Sequence, residues 1–101
     1  MYTKEQEVEL LQKYKNQDPE AIDKLAAEST RLALAIAARY TDRDSEEYPL
    51  YVSTGVKGFY RAIDPFLENN RDDKFTSYSL YFIKKEIEKI EGTKKIADTE
   101  E

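Results

Sequence analysis

Apolar residues recur at intervals of three and four along most of this chain, and the polar stretches that interrupt them fall where helices would start and stop. Val8, Leu11 and Tyr14 form the first such row and predict a short helix. The turn Asn16-Gln17-Asp18-Pro19 ends it and sets Asp18 as N-cap and Pro19 at the first position of the next helix. That second helix carries Ile22, Leu25, Ala26, Ser29, Leu32, Ala33, Ile36, Ala37 and Tyr40, a stripe broken only by Ser29. After the polar loop Thr41 to Glu47, a third stripe runs through Val52, Val56, Phe59, Ile63 and Phe66, and Asp64-Pro65 closes it because proline cannot continue a helix. A charged connection, Glu68 to Lys74, leads to a last helix capped by Thr76 or Ser77. It carries Leu80, Ile83, Ile87 and Ile90, and Gly92 is expected to end it. No segment alternates with a period of two. The pattern predicts an all-α fold, a small helical bundle whose core includes Leu32, Ile36, Val56, Phe59, Ile63 and Ile83.

A chain of 101 residues has room for one domain with one modest core. We expect that domain to occupy residues 1–95, followed by an acidic, disordered tail over 96–101 that holds Asp98, Glu100 and Glu101. Cysteine is absent, the start Met1 to Glu7 is polar, and the longest apolar run, Leu32 to Ala38, is far too short to span a bilayer. These features predict a soluble protein of the reducing cytoplasm.

Without histidine or cysteine, the usual zinc sites, the common general base near neutral pH and the Ser-His or Cys-His pairs cannot be built. The run Asp42-Arg43-Asp44-Ser45-Glu46-Glu47 has Glu47 and Ser53 where a calcium loop needs glycine sixth and glutamate twelfth, so a solvated acidic turn explains it better. Gly55-Val56-Lys57-Gly58 lies inside a helix and follows no strand; close helix packing, not a phosphate cradle, is its expected role. No enzyme activity, metal or cofactor is expected.

The chemistry that remains is a cluster of four aromatics in eight residues, Phe75, Tyr78, Tyr81 and Phe82, at the start of a lysine-bearing helix. Tyr78 and Phe82 lie one turn apart and suit a core. Phe75 and Tyr81 fit a core less easily, Tyr81 standing about 100° round the helix from Phe82. Exposed aromatics beside lysines suit stacking on unpaired bases. The net charge of −5 opposes a nucleic-acid partner, yet it is unevenly spread. Residues 74–95 hold six lysines against Glu86, Glu88 and Glu91, giving +3, whereas residues 1–73 sum to −5 and the tail to −3. With so small a basic footprint, intrinsic affinity for nucleic acid is expected to be low.

Three ordered segments closely resemble region two of bacterial sigma factors of the sigma-seventy family. Arg31-Leu32-Ala33-Leu34-Ala35-Ile36-Ala37-Ala38-Arg39-Tyr40 resembles the first core helix of that region. Gly55 and Gly58 with Arg61-Ala62-Ile63-Asp64 resemble the second, and Phe75 to Ile87 resembles the melting and recognition helix. Glu9-Leu10-Leu11 through Asp18-Pro19-Glu20-Ala21 is similar to the short leading helix and turn. The resemblance implies a non-enzymatic domain that binds the clamp coiled coil of core RNA polymerase and single-stranded minus-ten promoter DNA.

Residue by residue, Phe66, Phe75 and Tyr78 match aromatics around the pocket for the flipped minus-eleven adenine. Tyr81 and Phe82 match two positions that are typically tryptophan, the first of which wedges the upstream edge of the melted bubble. Lys84 and Lys85 match polar or basic residues that meet the minus-ten duplex edge and backbone. Ser29 stands where a base-contacting asparagine is common. Glu88 replaces a common threonine with a carboxylate, which repels phosphate and is expected to alter the sequence preference. The larger departure is Pro49-Leu50-Tyr51-Val52-Ser53-Thr54, uncharged where the family carries acidic and glutamine residues that meet clamp arginines. Leu50, Tyr51, Ser53 and Thr54 are the positions expected to meet polymerase, with Leu50 and Tyr51 forming an apolar surface near Tyr48. Two other readings stay open: a degenerate protein-interaction module that binds a regulatory inhibitor through Tyr48, Leu50 and Tyr51, and an accessory DNA-binding regulator of a phage or mobile element.

Overall fold

The computed structural model describes residues 2–69 and 72–99. Five helices follow one another: α1 (Lys4–Lys15), α2 (Pro19–Ala37), α3 (Tyr48–Arg61), α4 (Ile63–Glu68) and α5 (Phe75–Thr99), with no strand among the described residues. The fold is an all-α bundle in which α3 lies between α2 and α5 and α1 packs against α2 and α5.

The starts of α1 and α2 have local causes. In α1, Thr3 and Gln6 form a reciprocal capping box: the Gln6 amide donates to Thr3 Oγ1 at 3.1 Å and the Thr3 amide to Gln6 Oε1 at 2.9 Å. The chain leaves α1 through Gln17 in the left-handed region, at φ 64°. Asp18 then caps α2 as expected, its Oδ1 accepting from the Glu20 and Ala21 amides, with Pro19 at the first helical position. The inward row of α2 runs through Ala21, Leu25, Ser29, Leu32, Ala33, Ile36 and Ala37. Ile22 is exposed instead, because the small Ala21 occupies the side that faces the rest of the bundle.

The third stripe keeps Phe59, Ile63 and Phe66 inward, but its first two turns are displaced by one residue from the expected register. Tyr51, Gly55, Gly58, Phe59, Ala62, Ile63 and Phe66 face inward, while Val52 and Val56 are only half-buried, so Val56 is not part of the core. The glycines explain the displacement. A Cβ on Gly55 would stand 3.1 Å from Ala33 Cβ, and one on Gly58 only 2.6 Å from the Phe82 carbonyl oxygen. The side of α3 that lacks side chains is the one on which α2 and α5 close in. The chain also breaks earlier than expected, at Ala62, since Pro65 cannot donate to the Arg61 carbonyl and its ring crowds that oxygen. Pro65 then sits in the first turn of α4, where a missing N–H costs little.

Neither Thr76 nor Ser77 caps α5. Phe75 begins it, and the cap comes from α1: the Glu7 carboxylate accepts from the Phe75 amide at 2.8 Å and from Thr76 Oγ1 at 3.0 Å. Gly92 does not end α5, which continues to Thr99. The tail expected over 96–101 thus overlaps the last residues assigned to α5, and Glu100 and Glu101 lie outside the described residues.

Candidate nucleic-acid interface

From Phe59 a line of aromatic rings passes outward through the bundle to the exposed face of α5. Phe59 and Phe75 meet edge to face with centroids 5.1 Å apart, and Phe75 meets Phe66 the same way at 5.3 Å. Phe66 touches Tyr78 at 5.5 Å, Tyr78 touches Phe82 at 5.1 Å, and Phe82 supports Tyr81 edge-on at 5.6 Å. Edge-to-face pairs of this kind favour the observed ring orientations beyond simple burial.

The line sorts the expected DNA-facing residues by depth. Phe66 and Phe75 are core residues, which corrects the expectation that Phe75 fits a core poorly; it fills the space between Phe59 and Phe66 at the foot of α5. Tyr78 and Phe82 are half-buried and pack against the core. Tyr81 is 59% exposed, as its angular position implied. Ser29 is only 1% exposed and donates to the Ala26 carbonyl at 2.9 Å, so in this conformation it offers no atom to a base. Its place in the inward row of α2 was visible in the spacing.

Beside Tyr81, Lys85 places its ammonium 5.3 Å from the ring centroid and donates to the phenol oxygen at 3.2 Å. Lys84, one turn after Leu80, is half-buried and lies on the same broad side. Glu88 shares that face, seven residues after Tyr81, and accepts from the Tyr40 hydroxyl at 3.1 Å. Burial, followed by that hydrogen bond, raises the pKa of Tyr40 above its ordinary value. Glu86 lies off the face between Arg61, at 2.6 Å, and Lys89, at 2.7 Å. The Lys89 hydrogen bond, with Arg61 beside it, holds the Glu86 carboxyl below its ordinary value in spite of partial burial. Glu91 accepts from the Tyr51 hydroxyl at 2.8 Å. Glu86 and Glu91 are therefore drawn towards α3, whereas Glu88 stays on the face that carries Tyr81, Lys84 and Lys85.

The segment expected to meet polymerase divides in the same way. Leu50 is 54% exposed, and Ser53 is exposed with its hydroxyl donating to the Leu50 carbonyl at 3.1 Å. Thr54 is half-buried. Tyr51 contributes nothing to an apolar surface: it is fully buried, because it shares the inward face with Gly55 and Gly58 and finds Glu91 for its hydroxyl. The exposed apolar neighbour that the spacing did not single out is Leu34, whose carbonyl accepts from the Tyr48 hydroxyl at 3.0 Å. The other residue missed was Glu7, although a carboxylate in phase with Leu11 and Tyr14 was a signal that it points inward.

Among the described residues no cluster of three or more His, Cys, Asp or Glu side chains is placed to hold a metal, and no helix is long and apolar enough to cross a membrane. Fold and face together describe a helical domain with an aromatic-and-lysine surface. The chain is 35% identical over 92 residues to the RNA polymerase sigma factor SigA of a Bacillus species, covering 91% of this chain and 22% of that protein. It is 34% identical over 94 residues to the SigA of Clostridium acetobutylicum, covering 93% of this chain and 23% of that protein. These matches bear out the resemblance read from the sequence: over most of its length the chain is similar to one segment of these sigma factors, and it spans less than a quarter of the length of these relatives. No family profile and no solved structure matches it.

Proposed function

We propose that this chain is a non-enzymatic transcription-initiation domain that works in the cytoplasm, binding core RNA polymerase and the unpaired strand of a minus-ten promoter element. The observation that carries this reading is the similarity to RNA polymerase sigma factors over 91% of the chain. Within it, Tyr81 is the residue that meets an unstacked base, and Lys84 and Lys85 meet the backbone. Phe82 and Tyr78 hold the Tyr81 ring from behind, while Phe66 and Phe75 act from the core as the rigid base of that platform. Glu88 on the same face weakens attraction for phosphate and favours a promoter sequence other than the usual one.

Leu50, Ser53 and Thr54 are the polymerase-facing positions. Their lack of charge favours a second reading, in which the exposed Leu50 and Leu34 belong to a protein-interaction module that no longer docks on the clamp. A pull-down with core RNA polymerase, followed by titration of a labelled single strand and its duplex in its presence, separates the two. Retention on polymerase with preference for the single strand supports the first reading; no retention and equal or undetectable DNA binding leaves the second.

A further inference from the structure

Glu7 is a carboxylate only 6% exposed, reaching from α1 to the first turn of a helix that begins 68 residues later. It accepts from the Phe75 amide, the Thr76 amide at 3.4 Å and the Thr76 hydroxyl, so one side chain satisfies three donors at the positive end of α5. The carboxylate is itself held in place. The Thr3 carbonyl accepts from the Glu7 amide at 2.9 Å inside the Thr3–Gln6 capping box, and Leu11, one turn on, is buried. Two further ties join the same parts: Lys74 donates to the Tyr2 carbonyl at 3.2 Å, and Lys4 pairs with Asp72 at 3.7 Å. The residue whose amide Glu7 fixes is Phe75, whose ring contacts both Phe59 and Phe66 and begins the line of rings that reaches Tyr81.

We propose that Glu7 is a positioning residue for the single-strand face: by fixing the first turn of α5 it sets the Phe75 ring, and through Phe66, Tyr78 and Phe82 it sets the orientation of Tyr81. The effect travels through packed rings with few alternative arrangements, since rotating one in a close-packed interior displaces the next. The leading helix therefore takes part in DNA binding without touching DNA. This rests on the reading of Tyr81 as a base-stacking residue.

The test compares wild type with Glu7→Gln, which keeps the shape and removes the charge, under conditions where circular dichroism shows both folded. Should Glu7→Gln not fold, Glu7→Asp, which keeps the charge and shortens the reach, takes its place. The first readout is the Tyr81 ring signals by NMR without DNA. Positioning moves them together with those of Phe75, Tyr78 and Phe82; a change confined to residues 75–77 overturns the proposal. The second readout is single-strand affinity in a double-mutant cycle with Tyr81→Ala. Glu7→Gln is expected to lower affinity about tenfold, near the lower part of the range for one stacked base, and to have no further effect once Tyr81 is alanine. Additive losses overturn it. If wild type binds no single strand at all, the function reading has failed, and the Tyr81 ring signals alone decide whether Glu7 sets that side chain.

Discussion

Gly58 lies directly against the backbone of α5 at Phe82: a Cβ placed on it would stand 2.6 Å from the Phe82 carbonyl oxygen and 2.9 Å from Ile83 Cα. Backbone atoms cannot swing aside, so Gly58→Ala must push α3 and α5 apart. The intrinsic helix gain of about 1 kcal/mol for alanine is outweighed by overpacking of about 1–3 kcal/mol or more. Gly92 has nothing within 4 Å of its would-be Cβ, so Gly92→Ala should instead stabilise the protein, by up to about 1 kcal/mol. Thermal melts of the two variants should move in opposite directions.

Phe59 is fully buried and edge-on to both Tyr60 and Phe75. Phe59→Ala should cost about 3–5 kcal/mol, comparable to the whole stability of a small domain. Circular dichroism during urea unfolding measures it, and a freely tolerated Phe59→Ala would contradict the packing described.

Acid should weaken the α3–α5 seam. The Glu86 carboxyl is held below its ordinary value of 4.5 by Lys89 and Arg61, so the folded state binds its proton less readily than the unfolded state does. Its contribution is fully present above that ordinary value and is lost as pH falls through the lower folded value. Stability measured from neutral pH down to below 4.5 should therefore fall less steeply in Glu86→Gln than in wild type.

Restoring charge to the start of α3 should strengthen binding to core polymerase. Leu50→Asp, Ser53→Gln and Thr54→Glu act at positions that are exposed or half-buried and spare the buried Tyr51. Each charge-assisted hydrogen bond regained is worth about 1.5–3 kcal/mol, and the gain should shrink as salt rises. If wild type binds tightly and the triple variant binds less well, the uncharged segment is a specialised interface.

Stacking and charge should separate on the α5 face. Tyr81→Ala should remove about 1–3 kcal/mol of single-strand binding while leaving its salt dependence nearly unchanged. Lys84→Ala with Lys85→Ala should flatten the salt slope by roughly one to two units. Tyr81 is the cleaner probe, since Phe82 also packs on the core. Titrations at two salt concentrations distinguish the variants.

Most of the helical spans, the Asp18–Pro19 cap, the outward position of Tyr81 and the similarity to sigma factors were legible in the sequence, because each depends on spacing within one or two turns or on residue identity in order. Other features were settled only when the helices met. Spacing says which residues share a face, not which face a neighbour will cover. Val52 and Val56 made the more hydrophobic stripe of α3, yet the face carrying Gly55 and Gly58 turned inward, because only there can the α2 side chains and the α5 backbone come so close. The same rotation buried Tyr51, which the sequence had suggested as surface, and gave its hydroxyl Glu91 as a partner 40 residues away. Phe75 was likewise drawn into the core, between Phe59 and Phe66. The cap of α5 lay furthest from view, since local rules look for it in the preceding turn, whereas the bundle brings Glu7 across from α1 to accept from the Phe75 and Thr76 amides.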